Sequence, residues 1–122
     1  MTSKSIYISM NIVHTKELLE VGVSHNPDIK KKVFIGKEEI PNLMMFGEAT
    51  FKPGQSVDTH SHDTMYEVFH IQSGTAVFVV NDNRVEVNAG DCITIEPGEK
   101  HRQMNESDQD VTWLYFGIAT KE

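Results

Sequence analysis

The stretch Gly54-Gln55-Ser56-Val57-Asp58-Thr59-His60-Ser61-His62-Asp63-Thr64-Met65-Tyr66-Glu67-Val68-Phe69-His70-Ile71-Gln72-Ser73-Gly74 decides the reading of this chain. Two turn-forming glycines bracket a His-x-His pair and a glutamate. On an extended strand, residues two apart point to the same side, so His60 and His62 can aim two imidazoles at one place. Glu67 follows past a bend, where a neighbouring strand can bring its carboxylate to the same place. Two nitrogens and one oxygen converging in this way suit a divalent transition metal. A fourth donor, His101, comes far downstream in Gly98-Glu99-Lys100-His101-Arg102-Gln103-Met104-Asn105.

Outward from that stretch the chain is punctuated by turns. Pro53-Gly54, Ser73-Gly74, Asn81-Asp82-Asn83, Asn88-Ala89-Gly90 and Pro97-Gly98 recur at short intervals, followed by the polar run 105–110. The segments between them, 67–72, 75–80, 84–87, 92–96, 100–104 and 111–118, include several rich in Val, Ile, Phe, Thr and Tyr, as strands prefer. Short strands at even spacing predict an all-β sandwich or barrel rather than a βαβ fold. Upstream, 6–13, 33–35 and 43–52 read as strands. Thr15 reads as the cap of a short helix over 16–20 with Gly22 near its end, and Asn26-Pro27-Asp28 as a turn.

At 122 residues the chain reads as one domain, large enough for a core without disulfide staples. A net charge of −7 argues against nucleic-acid binding, and the Lys30-Lys31-Lys32 run reads as a solvated strand start or loop. No apolar run approaches the roughly 20 residues that cross a bilayer, which predicts no membrane partner. The opening residues lack the order of a secretory signal, and the single cysteine, Cys92, forbids an intrachain disulfide. Both point to a cytoplasmic protein, with Cys92 expected to pack as a small apolar residue.

Gly54, His60, His62, Glu67 and Gly74 reproduce the first signature of the cupin superfamily, and Gly90, Gly98, His101 and Asn105 match the second in register. Glu96 departs from the second, standing where it has proline, and Pro97 follows. Only 15 residues, 75–89, separate the two signatures, a gap that resembles the small single-domain bacterial-type monocupins. The resemblance implies a cupin jelly-roll barrel, a double-stranded β-helix spanning 1–122, with an N-terminal extension over 1–40 packing on the barrel or on a partner subunit. It also implies that His60, His62, Glu67 and His101 hold one divalent transition metal per chain, whether Fe, Mn, Ni, Co, Cu or Zn. An octahedral ion so held keeps two positions open, whereas a tetrahedral zinc would be closed.

Counting in twos from the ligands puts Phe69, Ile71 and Gln103 on the interior face, together with Asn105 if its strand continues. His14, His25 and His70 read as ordinary surface or hydrogen-bonded histidines. On the last strand Tyr115 is favoured over the opposite face for the cavity. Phe69, Gln103 and Tyr115 are therefore the expected substrate-pocket residues. No catalytic base stands out among Glu48, Glu96 and Tyr115. Proteins of this family include metal-dependent dioxygenases, isomerases and lyases, so the resemblance implies an enzyme acting on a small polar molecule. A non-catalytic small-ligand-binding or sensing cupin with a structural metal is the alternative. Apolar strand faces exceed what one small sandwich covers, which predicts a homodimer.

Overall fold

The structure is a computed structural model that describes residues 10–120. Among the described residues nine strands run in chain order: β1 (Val21–Val23), β2 (Asn26–Ile35), β3 (Leu43–Phe51), β4 (Met65–Ser73), β5 (Thr75–Val80), β6 (Asn83–Asn88), β7 (Cys92–Ile95), β8 (His101–Met104) and β9 (Val111–Ala119). They form a six-stranded sheet of order β1-β2-β3-β9-β4-β7 and a three-stranded sheet of order β6-β5-β8. All pairs are antiparallel. The predicted all-β jelly roll is what forms.

The local chemistry explains the path. β5 is Thr-Ala-Val-Phe-Val-Val, a run of β-branched and aromatic residues, and the Asn81-Asp82 pair returns it to β6 as a two-residue hairpin. Both turn residues take positive φ, 47° and 68°, which short polar side chains tolerate. Between β4 and β5 the chain crosses from the larger sheet to the smaller at Gly74, where φ is +83°. A Cβ there would run into the carbonyl oxygen of Asp110, so only glycine fits this corner.

The core lies between the sheets. Phe51, Phe69 and Trp113 of the larger sheet meet Phe78 of the smaller, with ring centroids 4.5 Å apart for Phe51–Trp113 and 5.0 Å for Phe69–Phe78. Strand register arranges the interior face of the larger sheet in rows. One row holds Lys31, Ala49, Trp113 and Ile71, and the next holds Val33, Gly47, Tyr115 and Phe69. A third holds Met45, Gly117, Glu67 and Ile95. Each row contains a glycine or alanine, and two of these, Ala49 and Gly117, line a cavity between the sheets.

Several expectations are corrected at the N-terminal side. The predicted helix is only a 3-10 turn over Thr15–Glu17, whose cap position is His14 rather than Thr15. Residues 6–9 of the expected 6–13 strand lie outside the described residues, and 10–13 form no strand. The turn expected at Asn26-Pro27-Asp28 falls instead at Ser24-His25, and β2 begins at Asn26. Pro27 is tolerated because it sits at the register shift between β1 and β2. Within the expected extension, residues 21–35 pack on the barrel as two strands of the larger sheet itself.

Candidate metal centre

The two motifs are tied together by their backbones. His60 donates its amide to the His101 carbonyl at 2.9 Å, and His101 returns the bond at 2.8 Å. This mutual exchange makes them a directly opposed antiparallel pair, whose side chains project to the same face. The Val57 amide bonds the Gln103 carbonyl, and the Gly98 amide bonds the carbonyl of His62, holding the backbone that carries the second imidazole. Glu67 reaches the same place from β4, directly opposite Gly117 on β9, over which the side chains of Met65 and Met44 close.

Four donor atoms, one each from His60, His62, Glu67 and His101, lie within 4.8 Å of one another. Backbone carbonyls orient two of the rings. Nδ1–H of His60 donates to the oxygen of Asp58 at 2.8 Å, and Nδ1–H of His101 to that of Glu99 at 2.9 Å. A carbonyl only accepts, so Nδ1 carries a proton in both rings, which directs Nε2 of each toward the cluster. Nε2 of His101 lies 3.0 Å and Nε2 of His62 3.4 Å from Oε1 of Glu67.

The electrostatics follow from this packing. Burial alone would raise the Glu67 pKa, but hydrogen bonds and charge from His101 and His62 prevail and hold it down at about 2. His101 is fully buried, which opposes its charge, yet its bonds to Glu67 and to the Glu99 carbonyl raise its pKa overall. His60 goes the other way: burial first, and the neighbouring His101, His25 and His62, lower it despite its bond to the Asp58 carbonyl. One anionic carboxylate among three imidazoles, two of them held by backbone carbonyls, fits a divalent transition ion. The space between Nε2 of His101 and Oε1 of Glu67 takes one proton, which a cation at that point would replace.

The cluster opens onto a cavity of about 420 Å³. His60, His62 and Glu67 are on its wall, as are Gln103 and Tyr115. Gln103 is 7% exposed, and its Oε1 has no hydrogen-bond partner. Burial, and secondarily the charge of Glu67, pushes the Tyr115 hydroxyl well above the usual phenol range, so it stays protonated. Phe69 faces inward but lies behind the wall, its ring stacked on Tyr115 at 5.7 Å. Asn105 is buried as a clamp: Nδ2 donates to the carbonyls of Phe51 and Gln109, while Oδ1 accepts from the amide and hydroxyl of Ser107.

Other residues differ from their sequence reading. Glu48 alternates away from the cavity-lining Ala49, and Glu96 is exposed beside the Pro97-Gly98 turn, so neither is on the cavity wall. Cys92 is exposed rather than packed, because register sets it opposite the outward-facing His70. His25 is exposed, as read, but it also stacks on His60 with centroids 4.0 Å apart and lines the cavity. Lys31, read as solvated, lines the cavity wall. Alternation alone signals it: Ile29, Lys31 and Val33 share a face, and Ile29 is fully buried.

The comparisons agree with this architecture. An "Oxalate-binding protein" of Thermotoga maritima is 29% identical over 84% of this chain and 89% of its own length. The crystal structure of a "predicted oxalate decarboxylase" from Thermotoga maritima, 25% identical, superposes with a TM-score of 0.82 over 89% of this chain and 99% of that one. A "Gentisate 1,2 dioxygenase 1" of Aquipseudomonas alcaligenes is 26% identical over 75% of this chain but only 25% of its own length. A polyketide cyclase from Streptomyces resistomycificus shares the fold at a TM-score of 0.76, 21% identity, and coverage of 89% of this chain and 79% of that one. The cupin domain family (Cupin_2) matches residues 47–117, more than half of the sequence and the span that carries all four donors, and the chain belongs to that family.

Proposed function

We propose that this protein holds one divalent transition ion at His60, His62, Glu67 and His101 and works as a metal-dependent enzyme on a small, carboxylate-bearing molecule in the cavity. The observation that carries the reading is the shared wall: His60, His62 and Glu67 face the same space as Gln103 and Tyr115. A ligand at the metal would meet both polar groups. The ion would supply Lewis-acid polarisation of a carbonyl or carboxylate oxygen and, if redox-active, electrons toward dioxygen. Tyr115, held protonated, donates a hydrogen bond to a ligand oxygen, and the free Oε1 of Gln103 accepts one from a hydroxyl or acid proton. Neither acts as a base at neutral pH. Oxalate and gentisate, named for two relatives, are both small carboxylates, which supports that ligand class.

A second reading, a non-catalytic binding protein, has its own support: one relative is named for binding alone. Metal analysis of protein purified without added metal comes first. Oxygen uptake and product analysis with catechols, diketones, hydroxy acids and oxalate then separate the two. Metal-dependent turnover of any of them establishes the enzyme. Tight binding without turnover favours the binding protein, and absence of metal in all preparations overturns both.

The homodimer is proposed as well, through the outer face of the larger sheet. There Phe34, Phe46 and Phe116 form a half-exposed edge-to-face row, with centroids 5.3 Å and 6.3 Å apart, and Ile118 is exposed beside them. Phe116→Lys should shift sedimentation from dimer to monomer; a wild-type monomer at micromolar concentration would refute the interface. No helix among the described residues is long and apolar enough to cross a membrane. An exposed, unpaired Cys92 is consistent with a reducing, cytoplasmic setting.

A further inference from the structure

The Lys30-Lys31-Lys32 run divides by strand alternation. Lys30 is exposed, its ammonium donating to the Pro27 carbonyl, and Lys32 donates to that of Thr15. Lys31 alone turns inward. It stands between the buried Ile29 and the cavity-lining Val33 on β2, directly opposite Ala49, whose small side chain leaves the lysine room to extend over the sheet. An aliphatic residue would be the ordinary occupant of such a position. Lys31 is only half exposed, and no carboxylate among the described residues lies within ion-pair distance of it. Glu67 is the one carboxylate on the cavity wall, and His62 and His101 already engage it.

A cation drawn out of water without a partner is costly, and a protein recovers that cost when an anion joins it. Desolvation lowers the Lys31 pKa, with no compensating charge from the protein. The second cavity-lining lysine, Lys37, is exposed in the β2–β3 loop and remains hydrated. The cavity therefore offers one partly desolvated, unpaired ammonium and, elsewhere on its wall, the cluster of His60, His62 and Glu67.

We propose that Lys31 is the anion anchor of the cavity, its ammonium pairing with one carboxylate of a small dicarboxylate whose other end is held at the metal centre. This inference rests on the metal-centre reading and adds which residue selects for a second negative charge. Charge is conserved simply, with no bond made or broken: one ammonium meets one carboxylate. Gln103 and Tyr115 then serve the part of the ligand between the two ends.

The test uses metal-loaded protein titrated calorimetrically with oxalate, malonate, succinate and glutarate, and with acetate as the single-charge control. Wild type should prefer at least one dicarboxylate over acetate by about tenfold or more. Lys31→Met, similar in length and apolar, should lose that preference while metal content stays unchanged and the thermal midpoint stays at or above wild type. Lys31→Arg should retain most of it, and Lys37→Met nearly all. Equal dicarboxylate affinity in Lys31→Met, or loss in Lys37→Met instead, overturns the proposal. Should the protein take up no metal, NMR of the lysine side-chain signals in the same titration still decides it. The signal missing from Lys31→Met must move on adding millimolar dicarboxylate, and if it stays fixed the anchor is wrong.

Discussion

His62 is the most exposed of the donors that contact Glu67, its side chain 29% accessible, so it can be removed with little damage to packing. His62→Ala should abolish tight metal binding while circular dichroism and the thermal midpoint of stripped protein stay close to wild type. Metal content at the wild-type level would refute the ligand assignment. Glu67 has a sharper signature. Its pKa is held at about 2 against an ordinary 4.5, so its contribution to stability is present above pH 4.5 and drains away as pH falls toward 2. His101 is held above its ordinary 6.5, so the complementary contribution is complete below 6.5 and is lost as pH rises through the elevated value. In metal-stripped protein, Glu67→Gln should therefore destabilise most between about pH 4.5 and 6.5 and less on either side. Urea unfolding at pH 3, 5.5 and 8 checks this, and a pH-independent difference would contradict it. The four donors were legible in the sequence because their spacing survives any reading of the loops. Lys31 and His25 were not: both come from the β1–β2 hairpin, which carries no motif, and its turn was read at Pro27 instead of Ser24-His25.

At the scale of elements, strands downstream of Pro53 were legible almost to the residue, since paired turn residues mark each end. β5 matches its expected span, Thr75–Val80, and β9 runs one residue beyond it, to Ala119. β2 was half hidden, because a lysine run in isolation looks solvated and only pairing with β3 reveals that its alternate residues are covered. Two corners allow a ranking. Gly74 and Gly98 share a left-handed φ, +83° and +85°, but only at Gly74 does a Cβ meet protein atoms; at Gly98 it would meet open space. Gly98→Ala should cost about 1 kcal/mol from backbone strain alone, and Gly74→Ala distinctly more because the Asp110 carbonyl must also move. Chemical denaturation of both variants tests the order, and equal losses would mean that the β4–β5 corner relaxes freely. The Asn105 clamp belongs with these corners. Asn105→Ala takes the side-chain donor from the Phe51 carbonyl and the acceptor from the Ser107 amide, while the Ser107 hydroxyl still bonds the Gln109 carbonyl, a loss of about 2–3 kcal/mol read by chemical denaturation.

Taken whole, the molecule is a shell whose core is aromatic at one end and hollow at the other. Trp113 closes the packed end against Phe51, Phe69 and Phe78. Trp113→Ala should cost about 3–5 kcal/mol and enlarge the cavity, read as a lower denaturation midpoint. The hollow end carries the opposite bargain. Gln103→Leu removes an unpartnered buried oxygen and should stabilise the stripped protein by about 1 kcal/mol while weakening ligand binding, and a fall in both would assign the amide a structural role. The exchange of amide bonds between His60 and His101 reaches furthest in its effects. Because folding itself clips these two residues together, the ordering entropy of the site is spent before any cation arrives. Uptake and loss of the ion should then proceed as fast as ligand exchange permits, without waiting for the chain to rearrange. The amide protons of His60 and His101 should be as slow to exchange with solvent in stripped protein as in loaded protein.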